Sequence, residues 1–375
     1  MTLKSVGLQV ALASALSAVP VLAQSITHFS LQAVTPNGTS AWTPSFPFTI
    51  RGVLLCNPDE MLDSTPRFSV NPAGMGGEWQ ITLQAIELGD RGGTTCWMGQ
   101  NYGSLAWVGD DLSYTDEAWV GEMLRLNHDP ATGRPFRAGD LIEITARQSL
   151  FYGGKRNINE GHDIEPEANF DLRLVTADYG LPAPEVITLA DVMNAGGEAT
   201  NRASWLSIFD PTRATGGEHY QGMRVQINNL ALVTTNGWNS TNTWGNRLCT
   251  VTDGLGRFLT LRHPRYTLGA APATPFDAIG IFTQESGSGS QGTNGYELFL
   301  QKVLPHNPAP ELAIGLNVTI SWPETADAYQ LEWREEADAG EWTPVTNAPV
   351  VINGMNTVIL PPSSPRRFYQ LRTTN

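Results

Sequence analysis

Cysteine is scarce in this chain: Cys56, Cys96 and Cys249 are the only three in 375 residues, which excludes a disulfide-dense scaffold. Cys56 and Cys96 fall in one stretch of strands and are the pair that an oxidising compartment would bridge, with Cys249 left as a buried thiol; spacing alone does not fix the pairing. No CxxC, HExxH or Cys/His cluster with zinc spacing occurs, so neither a structural nor a catalytic zinc is expected. Charge is sparse too, at 16% of residues, and the basic kind is the scarcer, with 23 Lys and Arg against 37 Asp and Glu for a net of −14. A field of that sign repels polyanions at long range, which argues against a general nucleic-acid coat while leaving room for a local basic groove.

No heptad or long 3.6-residue period is present, so long helices are not expected. Beyond residue 23 no stretch of about 18 uncharged apolar residues offers a membrane span. The six His are scattered at positions 28, 128, 162, 219, 263 and 306, and no GxSxG precedes a helical pattern. Gly287-Ser288-Gly289-Ser290 reads as a flexible loop, and Asp253-Gly254-Leu255-Gly256 lacks the rest of a dinucleotide fingerprint. No constellation names a catalytic activity, so the expectation is a non-enzymatic protein without a cofactor.

What is present begins with a leader. Lys4 precedes an uncharged apolar stretch from Val6 to Leu22, and Val21-Leu22-Ala23 supplies small residues for cleavage, which reads as a signal peptide over residues 1–23. The expected mature chain starts near Gln24, is secreted or periplasmic, and without Lys4 carries a net −15. Gly 37 and Pro 25 point to many short strands joined by turns.

Phe46 to Leu55, Glu78 to Ile86, Thr94 to Gly99, Leu141 to Arg147, Arg156 to Asn159 and Phe170 to Val175 read as strands. In Glu78 to Ile86, for example, Trp79, Ile81, Leu83 and Ala85 alternate with Gln80, Thr82 and Gln84. Leu181-Pro182-Ala183-Pro184 reads as a stiff connector. Beyond it the order recurs, in Met223 to Val233, Arg247 to Thr252, Phe258 to Leu261, Pro275 to Thr283 and Tyr296 to Val303, as in a diverged duplication. After the Pro-rich hinge His306 to Pro310 come Leu316 to Trp322, Tyr329 to Arg334, Thr357 to Leu360 and Phe368 to Arg372.

The pieces Thr49-Ile50-Arg51-Gly52-Val53 and Gly139-Asp140-Leu141-Ile142-Glu143-Ile144-Thr145 resemble the OB-fold modules of secreted bacterial proteins. The resemblance implies five-stranded Greek-key barrels that bind oligonucleotides or oligosaccharides. Ile320-Ser321-Trp322, Tyr329 to Arg334 and Arg367 to Leu371 resemble a short fibronectin type III module, which implies packing roles for Trp322 and Tyr369. The expected fold is therefore all-β: OB-like barrels over residues 24–182 and 183–305, then a fibronectin III-like sandwich over 310–375.

Three groups of residues are candidates for binding. From Gln221 to Ala271, Arg224, Arg247, Arg257, Arg262 and Arg265 face only Asp253, so Arg257, Phe258, Arg262, Tyr266, Trp238 and Trp244 form a candidate ligand face for single-stranded nucleic acid. Trp97, Tyr102, Trp107 and Trp119 with Gln100 and Asn101 instead suit neutral sugar rings. Glu160, Asp163 and Glu165, in the polar run Asn157 to Glu165, offer oxygen ligands for calcium. The expected partner is thus a single-stranded nucleic acid, a glycan or an extracellular matrix protein, with an accessory role in a secreted hydrolase system as a further alternative.

Overall fold

A computed structural model describes residues 23–67, 74–101, 113–159, 169–239, 244–286, 292–306, 313–314, 318–324, 329–336, 339–360 and 367–374. The chain divides into two compact units, residues 1–303 and 304–375. Strands dominate both, as the alternating sequence requires. Among the described residues no helix is long and apolar enough to cross a membrane.

In the first unit, after a two-residue strand at Gln24–Ser25 and a short helix at His28–Leu31, β1 (Phe48–Leu54) pairs antiparallel with β2 (Glu78–Gln84) and β4 (Leu141–Ala146). β2 continues into the antiparallel partner β3 (Gly93–Gly99), and β3 receives β6 (Lys155–Ile158) in parallel. β5 (Ser149–Tyr152) forms a hairpin with β6 across Gly153 and Gly154, whose φ of 66° and 91° suit glycine. The hydrogen-bonded order is therefore β5, β6, β3, β2, β1, β4, and β5 is joined to β4 through the chain, with only Arg147 and Gln148 between them. β7 (Asp171–Thr176) adds to the free side of β4. Phe48, Ile50, Trp79, Ile81, Leu83, Cys96, Met98, Ile142 and Ile144 point inward into one core.

One helix, α1 (Asp116–Asn127), lies between β3 and β4, where no helix was expected. Its start is well signalled: Oγ1 of Thr115 accepts from the Ala118 amide, and Asp116 and Glu117 occupy the first turn. Trp119, Met123 and Leu126 recur at helical spacing and close the barrel core. Val120 and Leu124 on the opposite face are exposed and equally apolar, which blurs the period in the sequence.

The second half of the unit is a closed five-stranded barrel. β9 (Arg224–Thr234) pairs with β10 (Leu248–Thr252), β10 with β11 (Phe258–Arg262), and β11 in parallel with β13 (Tyr296–Pro305). β13 adjoins β12 (Phe276–Gln284), and β12 returns to β9. β8 (Glu185–Ile187) lies parallel on β9 outside the ring. The register of β9 against β12 shifts between Ile227 and Leu230, with Asn229 at φ 60°, and this bulge lets one strand serve both neighbours. The pairing pattern of β1, β2, β3, β4 with β5, and β6 recurs in β9, β10, β11, β12 and β13.

The second unit holds two small sheets. β14 (Thr319–Pro323) and β16 (Met355–Ile359) form the centre of one, flanked by Ala313–Ile314 and Val350–Ile352; β15 (Tyr329–Arg334) pairs with β17 (Phe368–Thr373) and Thr343–Pro344 in the other. Ile320, Trp322, Leu331, Val358 and Leu360 make its core, with Tyr369 and Leu371 packed against it. Trp322 and Tyr369 are thus packing residues.

Candidate functional site

The arginines of the second barrel are committed to contacts within the first unit. Arg262 is 4% exposed and grips the fully buried Glu297 with Nε and Nη2, at 2.6 Å and 2.8 Å. This forked pair lies on the outer face of β11 and β13, beside Phe299, which packs against Leu55, Cys56, Met61 and Leu62 of the first barrel. Arg247 donates to the carbonyls of His263 and Met61. Arg265 donates to the carbonyls of Glu60, Asp59 and Leu62 and pairs with Asp63 at 3.1 Å. Arg224 binds the Pro182 carbonyl and Gln301, while Arg257 holds Asp253 at 2.9 Å and the Met193 carbonyl. The positive excess that stood out in the sequence therefore ties the two barrels and their loops together.

The other predicted ligand residues separate. Phe258 stands about 13 Å along β11 from Arg262, four residues at strand rise, and Arg257 precedes it just before the strand. Phe258 is buried and stacks on Trp205 at 5.9 Å. At the opposite end Trp238 meets His263 edge-on at 5.1 Å and donates to the Gly269 carbonyl, and the Tyr266 hydroxyl donates to the Gln301 carbonyl. His263 gives Nδ1–H to the Pro264 carbonyl, and burial lowers its pKa. Trp244 begins a short turn, and its side chain lies outside the described residues.

The outer face of β2 and β3 is also covered. Gln80, Thr82, Gln84 and Thr95 are all buried, the first two against Met61 Sδ, and Gln84 accepts from the Arg224 amide at 2.8 Å. Trp119 is a core residue, Gln100 accepts from the Arg67 and Gly77 amides, and Asn101 donates to the Gly74 carbonyl. Those amides serve loop packing, and Trp97 is half-buried in the seam. Tyr102 and Trp107 lie outside the described residues, as do Glu160, Asp163 and Glu165. Among the described residues no group of three or more His, Cys, Asp or Glu could hold a metal ion. The three cysteines are free and buried, so Cys56 and Cys96 form no bridge. Burial pushes the thiols of Cys56 and Cys249 up to about 12 and about 11, far from nucleophilic.

Exposed aromatic surface gathers elsewhere, on the loop that enters β1. Phe48 is anchored in the core, and Trp42 stands edge-on to it at 5.4 Å. Phe46 stacks on Phe48 at 5.6 Å, meets Trp42 edge-on at 5.8 Å and leaves 38% of its surface in solvent. Beneath Trp42, the guanidinium carbon of Arg156 on β6 sits 4.9 Å from the indole centre and 5.9 Å from the Phe151 ring. Its backbone is fixed by Gln32, which accepts from the Arg156 amide and donates to its carbonyl. Nη1 donates to Ser149 Oγ at 2.9 Å and Nη2 to Ser40 Oγ at 2.7 Å. A half-buried indole, an exposed phenyl, two hydroxyls and a guanidinium are the groups that hold a flat, hydroxylated ring. Sequence reading passed over this cluster because Phe46 was assigned to a strand and Trp42 lies outside every alternating run; the aromatic spacing in Trp42-Thr43-Pro44-Ser45-Phe46 was the available signal.

In comparisons with known proteins, no family model, no curated protein and no solved structure matches the chain.

Proposed function

We propose that this is an exported, non-enzymatic binding or adhesion protein that holds carbohydrate on the Trp42 and Phe46 face of its first barrel. The two barrels are read as OB-like and the second unit as fibronectin III-like, with the barrels supplying a rigid base for the ligand. The observation that carries this reading is the pair of half-buried Trp42 and exposed Phe46, fastened to the core through Phe48. Aromatic faces of this kind pack against sugar rings, and a preformed pair loses little freedom on binding. Single-stranded nucleic acid on the second barrel has less support, since Arg257 and Arg262 are already bonded.

The test is binding of residues 24–375 to a mixed glycan array and, in parallel, to labelled single-stranded DNA, each at low and moderate salt. Salt-insensitive glycan binding that drops at least tenfold in Trp42→Ala is expected. DNA binding that falls steeply with salt, or glycan binding indifferent to Trp42→Ala, would overturn the assignment.

A further inference from the structure

We propose that the Trp42 face takes a sugar bearing a single carboxylate, which docks on the guanidinium of Arg156; this rests on the carbohydrate reading above. Arg156 is only 6% exposed, yet among the described residues no carboxylate is one of its partners. Its neighbour Lys155 pairs with Glu285 at 2.7 Å, and Arg262 pairs with Glu297. Among the described residues Arg156 instead has two serine hydroxyls on its terminal nitrogens and two aromatic faces, while its Nε–H is buried without a partner. Burial lowers its pKa. A charge held this way out of water is costly to keep unpaired, and an incoming carboxylate recovers that cost through charge-assisted hydrogen bonds.

The surroundings define the ligand further. Ser40 and Ser149 are half-buried, and each accepts from Arg156 while keeping its own hydrogen to donate. Trp42 and Phe46 supply the flat apolar surface beside them. One guanidinium matches one carboxylate, and the net charge of −14 opposes a polymer with an anion on every residue. A glycan ending in one uronic acid satisfies all three conditions.

The test uses the chain from residue 24 to 375 and three probes: an oligosaccharide with one terminal glucuronate, its carboxyl-reduced neutral counterpart, and alginate as a polyuronate. The glucuronate probe is expected to bind at least tenfold tighter than its reduced form, about the worth of one hydrogen bond to a charged group, and tighter per site than alginate. Arg156→Gln should bring it down to the affinity of the neutral probe. Ser40→Ala with Ser149→Ala, which leaves the cation in place, should narrow the preference severalfold, and thermal unfolding of each variant reports that it is folded. Equal affinity for the acid and its reduced form, or a preference that survives in folded Arg156→Gln and in the double serine variant, overturns the proposal. Failure of both the acid and the neutral probe to bind overturns the carbohydrate reading itself.

Discussion

Tyr296 on β13 donates its hydroxyl to Oε1 of Glu218 at 2.7 Å inside the second barrel, with both side chains buried. Arg213 closes the same cluster from the loop before Glu218: its Nε donates to the Glu218 carbonyl and its Nη1 to the Phe29 carbonyl of the first barrel. Burial pushes the Glu218 carboxyl up to about 7, against the smaller opposing effects of the Tyr296 hydrogen bond and the Arg213 charge.

A carboxyl raised in the folded state stabilises the protein fully below its unfolded pKa of 4.5 and loses that contribution as pH rises through about 7. The shift corresponds to about 3 kcal/mol. Glu218→Gln keeps an oxygen for Tyr296 and removes the titration. Urea unfolding of both proteins from pH 4 to pH 8 should show wild type losing about 3 kcal/mol relative to the variant across that window; parallel curves would refute the assignment.

Arg262→Met strands Glu297 as a buried, unpaired charge, and should cost about 3–5 kcal/mol. Arg262→Met with Glu297→Leu should recover most of that loss, because a buried ion pair contributes little over an apolar pair of similar volume. A double-mutant cycle by urea unfolding measures the coupling directly.

Gly93 and Gly121 should respond in opposite directions to alanine. A Cβ at Gly93 would lie 2.1 Å from the Gly222 carbonyl oxygen and 2.4 Å from that of Leu83, both backbone atoms. Gly93→Ala should therefore lower stability by about 1–3 kcal/mol or more. Gly121 is on the open face of α1, with nothing within 4 Å, and Gly121→Ala should raise stability by about 0.5–1 kcal/mol. Thermal unfolding of the two variants distinguishes the positions.

Cys56, Cys96 and Cys249 should all be silent to a thiol reagent in the native protein and all react in denaturant, given their burial. A single reactive thiol after unfolding would mean that two had been bridged.

Most strands were legible because their inward residues alternate with polar ones, and the paired ranges of β1, β3, β9 and β15 follow the runs read from the sequence within a residue or two at most ends. The polar partners in β2 misled in a specific way. Gln80, Thr82 and Gln84 have the pattern of a solvated face, yet the second barrel and Met61 cover them, and period-two alternation holds no record of a tertiary neighbour. Arg262 looked free for the same reason, since its partner Glu297 is 35 residues away. The helix at Asp116–Asn127 had a legible cap in Thr115 and acids in its first turn, but its exposed Val120 and Leu124 masked the buried stripe.

The contacts between the barrels bear on how the connector at Leu181 to Pro184 would respond to cutting. The Gly93 amide donates to the Gln221 carbonyl, Gln301 to the Leu55 carbonyl, Arg91 pairs with Glu185 and Lys155 with Glu285, so the barrels are joined at several points besides the connector. A protease that nicks the chain at the exposed Leu181 would leave two fragments still clasped together. The same halves made as separate polypeptides would find each other and rebuild the unit, as in a split protein that needs no added fusion partners.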